Sequence, residues 1–380
     1  MKNLITLSIF VFCTALNLNA RNGGLQNCGS SCYFNSGIQT LSQLDSLNKV
    51  LDKKVFPPDS IPDLYVKLKN IIKDYPTNMP YKKDDPITKM TFIPRNYDIT
   101  GKTKLSDFYA KVAAQFFPDE PITEQDSSEF VALLIHEFSL SEEEINSLFS
   151  PKTTRILTCK CKDAIKEIIA LQDFRCGKGR DAVAKKMTAL FIRVYLATHN
   201  ATTLDECLNY TFRGKISKNK ICPACTQKYN IQKFIGATPK NLILWLDRAP
   251  KEEKISNAIT FEETLNIDKY LLPEITQNKK YKLHGIICHA GGIGGGHYWA
   301  YVKDKDGAWY EYNDSTVSLI DIKPIINQTS AKGNPYVLFY EREDTLQQKL
   351  TQLKTSLQEL KEKLQVLQHK LIKLKSKLIT

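Results

Sequence analysis

Hydrophobic positions follow a helical rhythm in the first part of the chain. Phe34, Ile38, Leu41 and Leu44 recur at three- to four-residue intervals and predict a helix over Ser30–Leu44, with Ser30 or Ser31 placed to cap it. A Pro- and Lys-rich stretch follows from Phe56 to Pro94, in which only Leu64–Ile72 keeps a helical pattern. A second firm helix starts near Asp126 and sets Phe130, Leu133, Leu134 and Phe138 on one face. From Leu242 the pattern changes to strands. Leu242–Leu246, Tyr281–Cys288, Tyr298–Val302, Trp309–Tyr312 and Tyr336–Tyr340 are short runs of β-branched or aromatic residues, bounded by Gly, Asn, Asp or Pro. Helices first and strands later predict an α+β fold.

The end of the chain differs in kind. Leucines at 346, 350, 353, 357, 360, 364, 367, 371, 374 and 378 alternate four- and three-residue steps, a heptad with Leu at both a and d. This is the pattern of a coiled coil over residues 345–378, and it predicts self-association or a helical partner. The alternatives are an amphipathic helix folded back on the rest of the chain, or a basic helix on an anionic membrane surface. Charge bears on that choice. The formal net charge is +12, and Thr345–Thr380 holds eight lysines against two glutamates, about half of the excess. The charge therefore reads as a property of the tail, and no nucleic-acid partner is expected from it.

The first twenty residues read as a secretory signal peptide. Lys2 supplies the positive end, Leu4–Leu16 the apolar stretch, and Asn17–Ala20 a cleavage site after Ala20 in which Leu18 stands where a small residue is preferred. An uncleaved anchor is the alternative. No other run is long and apolar enough to span a bilayer. One of the ten cysteines lies in the presumed signal, leaving an odd number. Two close pairs, Cys159 with Cys161 and Cys222 with Cys225, suit a metal better than disulfides, and Cys222-Pro-Ala-Cys225 has the spacing of a zinc knuckle. Four thiolates would make a closed, structural zinc site, with Cys176 a possible substitute; a degenerate hairpin without metal is the alternative. Cys28, Cys207 and Cys288 read as core thiols. An export signal on a chain with reduced-looking cysteines fits a protein that works in another cell's cytosol.

Candidate chemistry sits at two places. Cys32 sits in the first turn of the predicted first helix, where unpaired N–H groups and the helix dipole favour a thiolate, so a lowered pKa is expected; a buried structural thiol is the alternative. Asn27, on a loop that Gly24 and Gly29 allow to bend, offers an amide toward a tetrahedral oxyanion. Far downstream, His297 ends the glycine-rich run His289-Ala-Gly-Gly-Ile-Gly-Gly-Gly-His297 and opens a strand, and Asn313 ends the next strand. An imidazole needs an acceptor on its far nitrogen to fix its tautomer, and an Asn or Asp supplies it.

These segments together resemble the ubiquitin-specific protease family, papain-like deubiquitinating enzymes. Gly24–Ser36 matches the family's cysteine box, Gln125-Asp-Ser-Ser-Glu-Phe130 its middle box, and His289–Ser315 its histidine box, with Tyr336-Val-Leu-Phe-Tyr340 closing the fold. The boxes stand in family order between Gly24 and about Arg342. The resemblance implies a catalytic domain over 21–342 with thumb, fingers (about 151–235) and palm. It implies Cys32 as nucleophile, His297 as base, Asn313 as orienting residue and Asn27 as oxyanion donor, with Asp314 sharing or replacing Asn313. It further implies that Asp126 and Glu129 hold the basic tail of ubiquitin, that His289 and Tyr298 line the tail channel, and that ubiquitin or ubiquitinated proteins are the partners. No catalytic cofactor is implied. The sequence departs from the family at Cys159-Lys-Cys161, one residue shorter than C-x-x-C, at Glu124, where Gln is usual, and at Leu246-Asp-Arg-Ala249. The export signal and a ubiquitin-directed enzyme together point to a secreted effector. The rival readings are a catalytically dead ubiquitin-binding scaffold and a basic membrane- or nucleic-acid-binding module.

Overall fold

The structure is a computed structural model in which residues 23–74, 92–119, 123–159, 161, 164–168, 187, 189–196, 201–250, 253–276, 279–329 and 332–343 are described, with isolated positions 350, 354, 357 and 361 beyond them. The signal of residues 1–20 and the alternative ligand Cys176 lie outside the described residues. So does the coiled coil of 345–378, except for the four isolated positions. Those four are helical, and Leu350 and Leu357 among them are exposed. Among the described residues no helix is long and apolar enough to cross a membrane.

The first lobe is helical. It contains α1 (Cys32–Ser42), α2 (Asp45–Leu51), α3 (Ile61–Asp74), α4 (Leu105–Phe116), α5 (Ser127–Glu137) and α6 (Glu142–Leu148). Every residue of α1 is buried, so this helix is the axis of the lobe. Gly37 lets α5 approach it, because a Cβ there would lie 2.6 Å from the Phe130 ring. Tyr33, Phe34, Phe108, Tyr109, Phe117 and Phe130 pack edge-on or tilted around that contact. Each such ring contributes about 1.5–3 kcal/mol by leaving water. The predicted first helix runs two residues too far. Leu44 turns to extended backbone (ψ 92°) and starts α2. The Leu64–Ile72 pattern is the centre of the longer α3.

Beside a short parallel pair, β1 (Gly24–Leu25) and β2 (Phe92–Ile93), the second layer is a large sheet ordered β13-β12-β11-β10-β14-β8-β5, with β9 (Thr264–Asn266) pairing on β10. Its strands are β5 (Phe191–Tyr195), β8 (Asn241–Asp247), β10 (Lys280–Gly291), β11 (Gly296–Lys303), β12 (Trp309–Asn313), β13 (Thr316–Ile320) and β14 (Asn334–Arg342). All five predicted strands lie in it. Both faces are covered, which explains why Tyr336–Tyr340 reads as a continuous apolar run. Val337, Phe339 and Ile287 face the helical lobe; Leu338, Tyr340, Ile286 and Cys288 face a second core built with α7 (Leu204–Phe212). Cys207 lies in that second core and Cys28 packs against the first, so the three expected core thiols are core or core-flanking residues.

A separate four-stranded sheet, ordered β4-β3-β7-β6, comprises β3 (Thr154–Thr158), β4 (Ala164–Ile168), β6 (Lys215–Ile221) and β7 (Lys228–Phe234). It occupies the expected fingers range. Within the same range, however, β5 and α7 belong to the large sheet and its core. Buried Phe191, Ile192 and Val194 pair β5 in parallel with β8.

Candidate active site

Cys32 is the first residue of α1 and is 3% exposed. Ser31 holds the cap position without capping; its Oγ instead accepts from the Cys28 N–H at 2.8 Å. The loop before the helix winds around Asn27. The Asn27 Oδ1 accepts from the N–H groups of Gly29 (2.9 Å) and Ser31 (3.3 Å), and Gly29 takes φ +119° to permit this. The backbone N–H groups of Tyr298 and Tyr33 act on the Cys32 thiol, and Tyr298 follows His297 in the chain.

The expected low thiol pKa is not found in the free protein. Burial pushes Cys32 up to about 11, the Tyr298 and Tyr33 N–H groups oppose this, and the Glu124 and Asp314 carboxylates add to it. Loss of water outweighs the helix terminus.

His297 sits on β11, opposite Ala290 of β10. One ring nitrogen lies 2.7 Å from Asn313 Oδ1 at the end of β12. Because that oxygen can only accept, the facing nitrogen carries the proton and the other keeps a lone pair. The ring stacks over Trp299 at 6.1 Å. Asp314 stands farther off, 4.0 Å from the His297 ring, so it does not replace Asn313. Its carboxylate receives the side-chain amides of Asn27 (3.0 Å) and Asn35 (2.7 Å), and its carbonyl receives the Leu25 N–H (2.9 Å). Asp314 thereby ties the cysteine segment to the histidine segment across the chain. Gly24 is part of the same joint, since a Cβ there would lie 2.5 Å from the Ser315 carbonyl. Only one Asn27 N–H goes to Asp314, leaving the second for an oxyanion.

The glycine run is built for close approach at its ends. Gly291 has φ +120°, and a Cβ on Gly296 would lie 2.1 Å from the Ala290 carbonyl. Glu124 Oε2 receives the Gly296 N–H at 2.7 Å, and its other oxygen lies 3.7 Å from His289 Nε2. His289, opposite Tyr298 on the paired strand, packs tilted against that ring at 4.5 Å and meets Lys254 Nζ at 3.0 Å. Lys254 also donates to the Gly291 carbonyl. Burial, then Lys254 and His297, hold His289 down to about 4.

Asp126 has a structural part as well as the one expected of it. It is the N-cap of α5: one oxygen accepts from Ser128 N (2.7 Å) and Glu129 N (3.2 Å), and the other from the Tyr336 hydroxyl. One oxygen thus holds the helix start, where four N–H groups need acceptors, and the other ties it to Tyr336. Glu129 stands half-buried in the first turn. The contacts of Lys254, Asn35 and Tyr336 were not foreseen. Asn35 lies within the cysteine box, but its amide bonds link it to a carboxylate 279 residues away.

At the tip of the small sheet, Cys159, Cys161, Cys222 and Cys225 bring their sulfurs within 4.8 Å of one another. The edge of a tetrahedral zinc–thiolate site is about 3.8 Å. Cys222 meets Cys159 at 3.4 Å and Cys161 at 3.5 Å, while Cys159 and Cys161 are closer, at 2.7 Å. Against the burial that opposes it, N–H groups of Cys225 and Ala224 and the thiols of Cys159 and Cys161 draw Cys222 down to about 6, as a thiolate ligand requires. The donor set fits a structural zinc ion, and the short C-x-C pair reaches the cluster despite its spacing.

The sequence profile described as ubiquitin carboxyl-terminal hydrolase matches residues 23–340. Ubiquitin carboxyl-terminal hydrolase 25 of Arabidopsis thaliana is 28% identical over 90% of this chain and 51% of its own length. Ubiquitin carboxyl-terminal hydrolase 17-like protein C of Mus musculus is 30% identical over 42% of this chain and 30% of its own length. The chain thus spans about half or less of these curated relatives. Among solved structures, the SAGA Ubp8/Sgf11/Sus1/Sgf73 DUB module bound to ubiquitin aldehyde shares the fold. Its TM-score is 0.62 at 19% identity, over 86% of this chain and 70% of that one. With these matches bracketing Cys32, His297 and Asn313, the chain belongs to the ubiquitin carboxyl-terminal hydrolase family, a family of cysteine-type ubiquitin hydrolases.

Proposed function

We propose that this protein is a thiol-dependent deubiquitinase that hydrolyses the isopeptide bond after the C-terminal glycine of ubiquitin. The observation that carries this reading is the His297–Asn313 hydrogen bond, on a strand whose next residue, Tyr298, turns its N–H toward the cysteine that opens a buried helix. The Ubp8 modules solved with ubiquitin aldehyde and with monoubiquitin support ubiquitin as the partner here.

In the free state Cys32 holds its proton. His297 removes it as the substrate carbonyl arrives, and the thiolate attacks the glycine carbon. The second Asn27 N–H and the first-turn N–H groups of α1 face the oxyanion. The imidazolium gives its proton to the departing lysine amine, which leaves. His297 then takes a proton from water, whose oxygen attacks the thioester, releasing the ubiquitin carboxylate and the thiol. Asn313 holds the ring throughout. Asp126 and Glu129, on the first turn of α5, are the carboxylates for a basic tail, with Glu124 near them, and His289 and Tyr298 line the channel. Zinc, when bound by the four cysteines, cross-links the two hairpins of the fingers and takes no part in the reaction.

The test is an adduct. The full chain and its Cys32→Ala variant are mixed with ubiquitin carrying a thiol-reactive C-terminal group. A mass gain of one ubiquitin on the wild type alone is expected. A folded wild type that gains nothing would sink the reading and turn attention to other ubiquitin-like modifiers.

The finer reading is of a secreted effector acting on host conjugates in a host cytoplasm, supported by the signal-like residues 1–20. Retention of the mature protein inside the producing cell, read by fractionation, would refute it. The heptad of 345–378 supports self-association or a helical partner, read by sedimentation of the full chain. Its lysines support contact with an anionic membrane surface, read by co-sedimentation with phosphatidylserine vesicles.

A further inference from the structure

Two of the places where the sequence departs from its family, Glu124 and the segment Leu246-Asp-Arg-Ala249, converge on the glycine turn. No step of the hydrolysis uses the contacts made there. Arg248 follows β8 and is buried. Its Nε donates to the Pro335 carbonyl at 2.7 Å, and one terminal nitrogen donates to the carbonyls of Ile255 (3.0 Å) and Asn257 (3.1 Å). The Ile255 N–H returns to the Arg248 carbonyl at 2.7 Å. A buried cation needs acceptors, and the carbonyls that satisfy this one tie down the loop at Lys254.

Lys254 reaches from that loop to β10. Its ammonium donates to the Gly291 carbonyl and lies 3.0 Å from His289 Nδ1. Glu124, just ahead of α5, approaches from the other side. Its Oε2 accepts the Gly296 N–H at 2.7 Å, and its Oε1 lies 3.7 Å from His289 Nε2. Gly291 and Gly296 are cross-strand partners that close the β10–β11 hairpin. One cation and one carboxylate thus grip the two ends of the turn, with the His289 ring between them.

The ring is the link. An ammonium can only donate, so Nδ1 presents its lone pair, and the proton of the neutral imidazole stands on Nε2, toward Glu124. Burial holds the ring neutral. Glu124 also favours the Lys254 ammonium, against the burial and the Arg248 charge that oppose it. The turn itself supplies no packing. Gly292, Gly294 and Gly295 are exposed, and a Cβ on Gly294 would meet nothing within 4 Å. Its place is therefore set at its ends. His297 follows Gly296 directly, so the grip carries through to the imidazole that bonds Asn313.

We propose that Lys254 is a positioning residue of this reaction. Acting with Glu124 through the Nε2-protonated ring of His289, it fixes the ends of the glycine turn and so the orientation of the His297 imidazole. The effect on rate rests on the hydrolase reading; the state of the His289 ring does not.

The experiment compares the full chain with Lys254→Met, which keeps the length and loses the charge, and with Lys254→Arg, which keeps donors. The first readout is the ring-nitrogen NMR shifts of His289, assigned by their loss in His289→Gln. The second is kcat and KM on a short fluorogenic tail peptide carrying ubiquitin's C-terminal residues, with a thermal melt alongside. An Nε2-protonated His289 is expected in the wild type, and a mixture of tautomers in Lys254→Met. In that variant kcat should fall about tenfold while KM stays within about twofold, because the tail keeps its own contacts. Lys254→Arg should recover most of the rate. A wild-type His289 protonated on Nδ1 overturns the proposal, whether or not the variants fold. So does a Lys254→Met protein that keeps its kcat, or one that loses kcat while its His289 tautomer stays fixed. A Lys254-dependent tautomer in a protein that turns over no peptide sinks the hydrolase reading, and the positioning role with it.

Discussion

Gly296→Ala isolates the geometry of the glycine run. A Cβ at this position would lie 2.1 Å from the Ala290 carbonyl oxygen and 2.5 Å from His289 Nε2. A relaxed carbon–oxygen contact is roughly 3.3 Å, so the backbone must retreat by about 1 Å. Neither obstacle yields easily. One is the main chain of the paired strand, and the other is a ring held between Lys254, Glu124 and Tyr298. His297 is the next residue, so the displacement passes to the imidazole proposed as the base. A misplacement of that size costs about 10²-fold in rate, or about 2.7 kcal/mol of barrier. The strain should cost about 1–3 kcal/mol of stability as well. The control is Gly294→Ala, where nothing lies within 4 Å and φ is not positive. The assay is kcat/KM on a fluorogenic ubiquitin substrate, with a thermal melt to exclude unfolding. Gly296→Ala within threefold of Gly294→Ala, at similar melting temperature, would refute the reasoning.

Asp126→Ala removes the α5 cap, about 1 kcal/mol, and orphans the buried Tyr336 hydroxyl, about 1–3 kcal/mol, so a lowered melting temperature is expected and an unchanged one would contradict the capping role. His289 gives a pH signature. The unfolded chain takes up a proton near pH 6.5 that the folded ring refuses until about 4, so stability is full above 6.5 and falls as pH drops toward 4. The slope is at most about 1.4 kcal/mol per pH unit, and denaturant melts of His289→Gln should lack it. Metal analysis of the purified full chain should find one zinc, lost in Cys222→Ser; the zinc-free protein should melt lower yet still turn over the tail peptide, and zinc-independent melting would exclude a structural ion.

Much of the architecture was legible because it rests on local periodicity. The helical spacing of Phe34, Ile38 and Leu41 and the apolar runs of the five strands announce elements that a core then accepts. The fingers and the helix Leu105–Phe116 were harder to read. The strands of the fingers are half polar or more, which blurs the alternation that marks a strand. The reactive residues were legible as types: a thiol at a helix start, a histidine after glycines, an asparagine at a strand end.

Their relations were not. The sequence by itself, through residue types and the family resemblance of its boxes, singled out Cys32, His297, Asn313 and the four paired cysteines as candidates, because residue type and spacing are read directly along the chain. Only the tertiary structure decided that Asp314 binds Asn27 and Asn35 instead of His297, and that Asp126 caps a helix. It alone decided that Cys32 rests as a buried thiol, and that Lys254 and Glu124 grip the two ends of the glycine turn. A hydrogen bond or a desolvation penalty depends on which distant segments share a few ångströms of space, and chain order does not encode that distance.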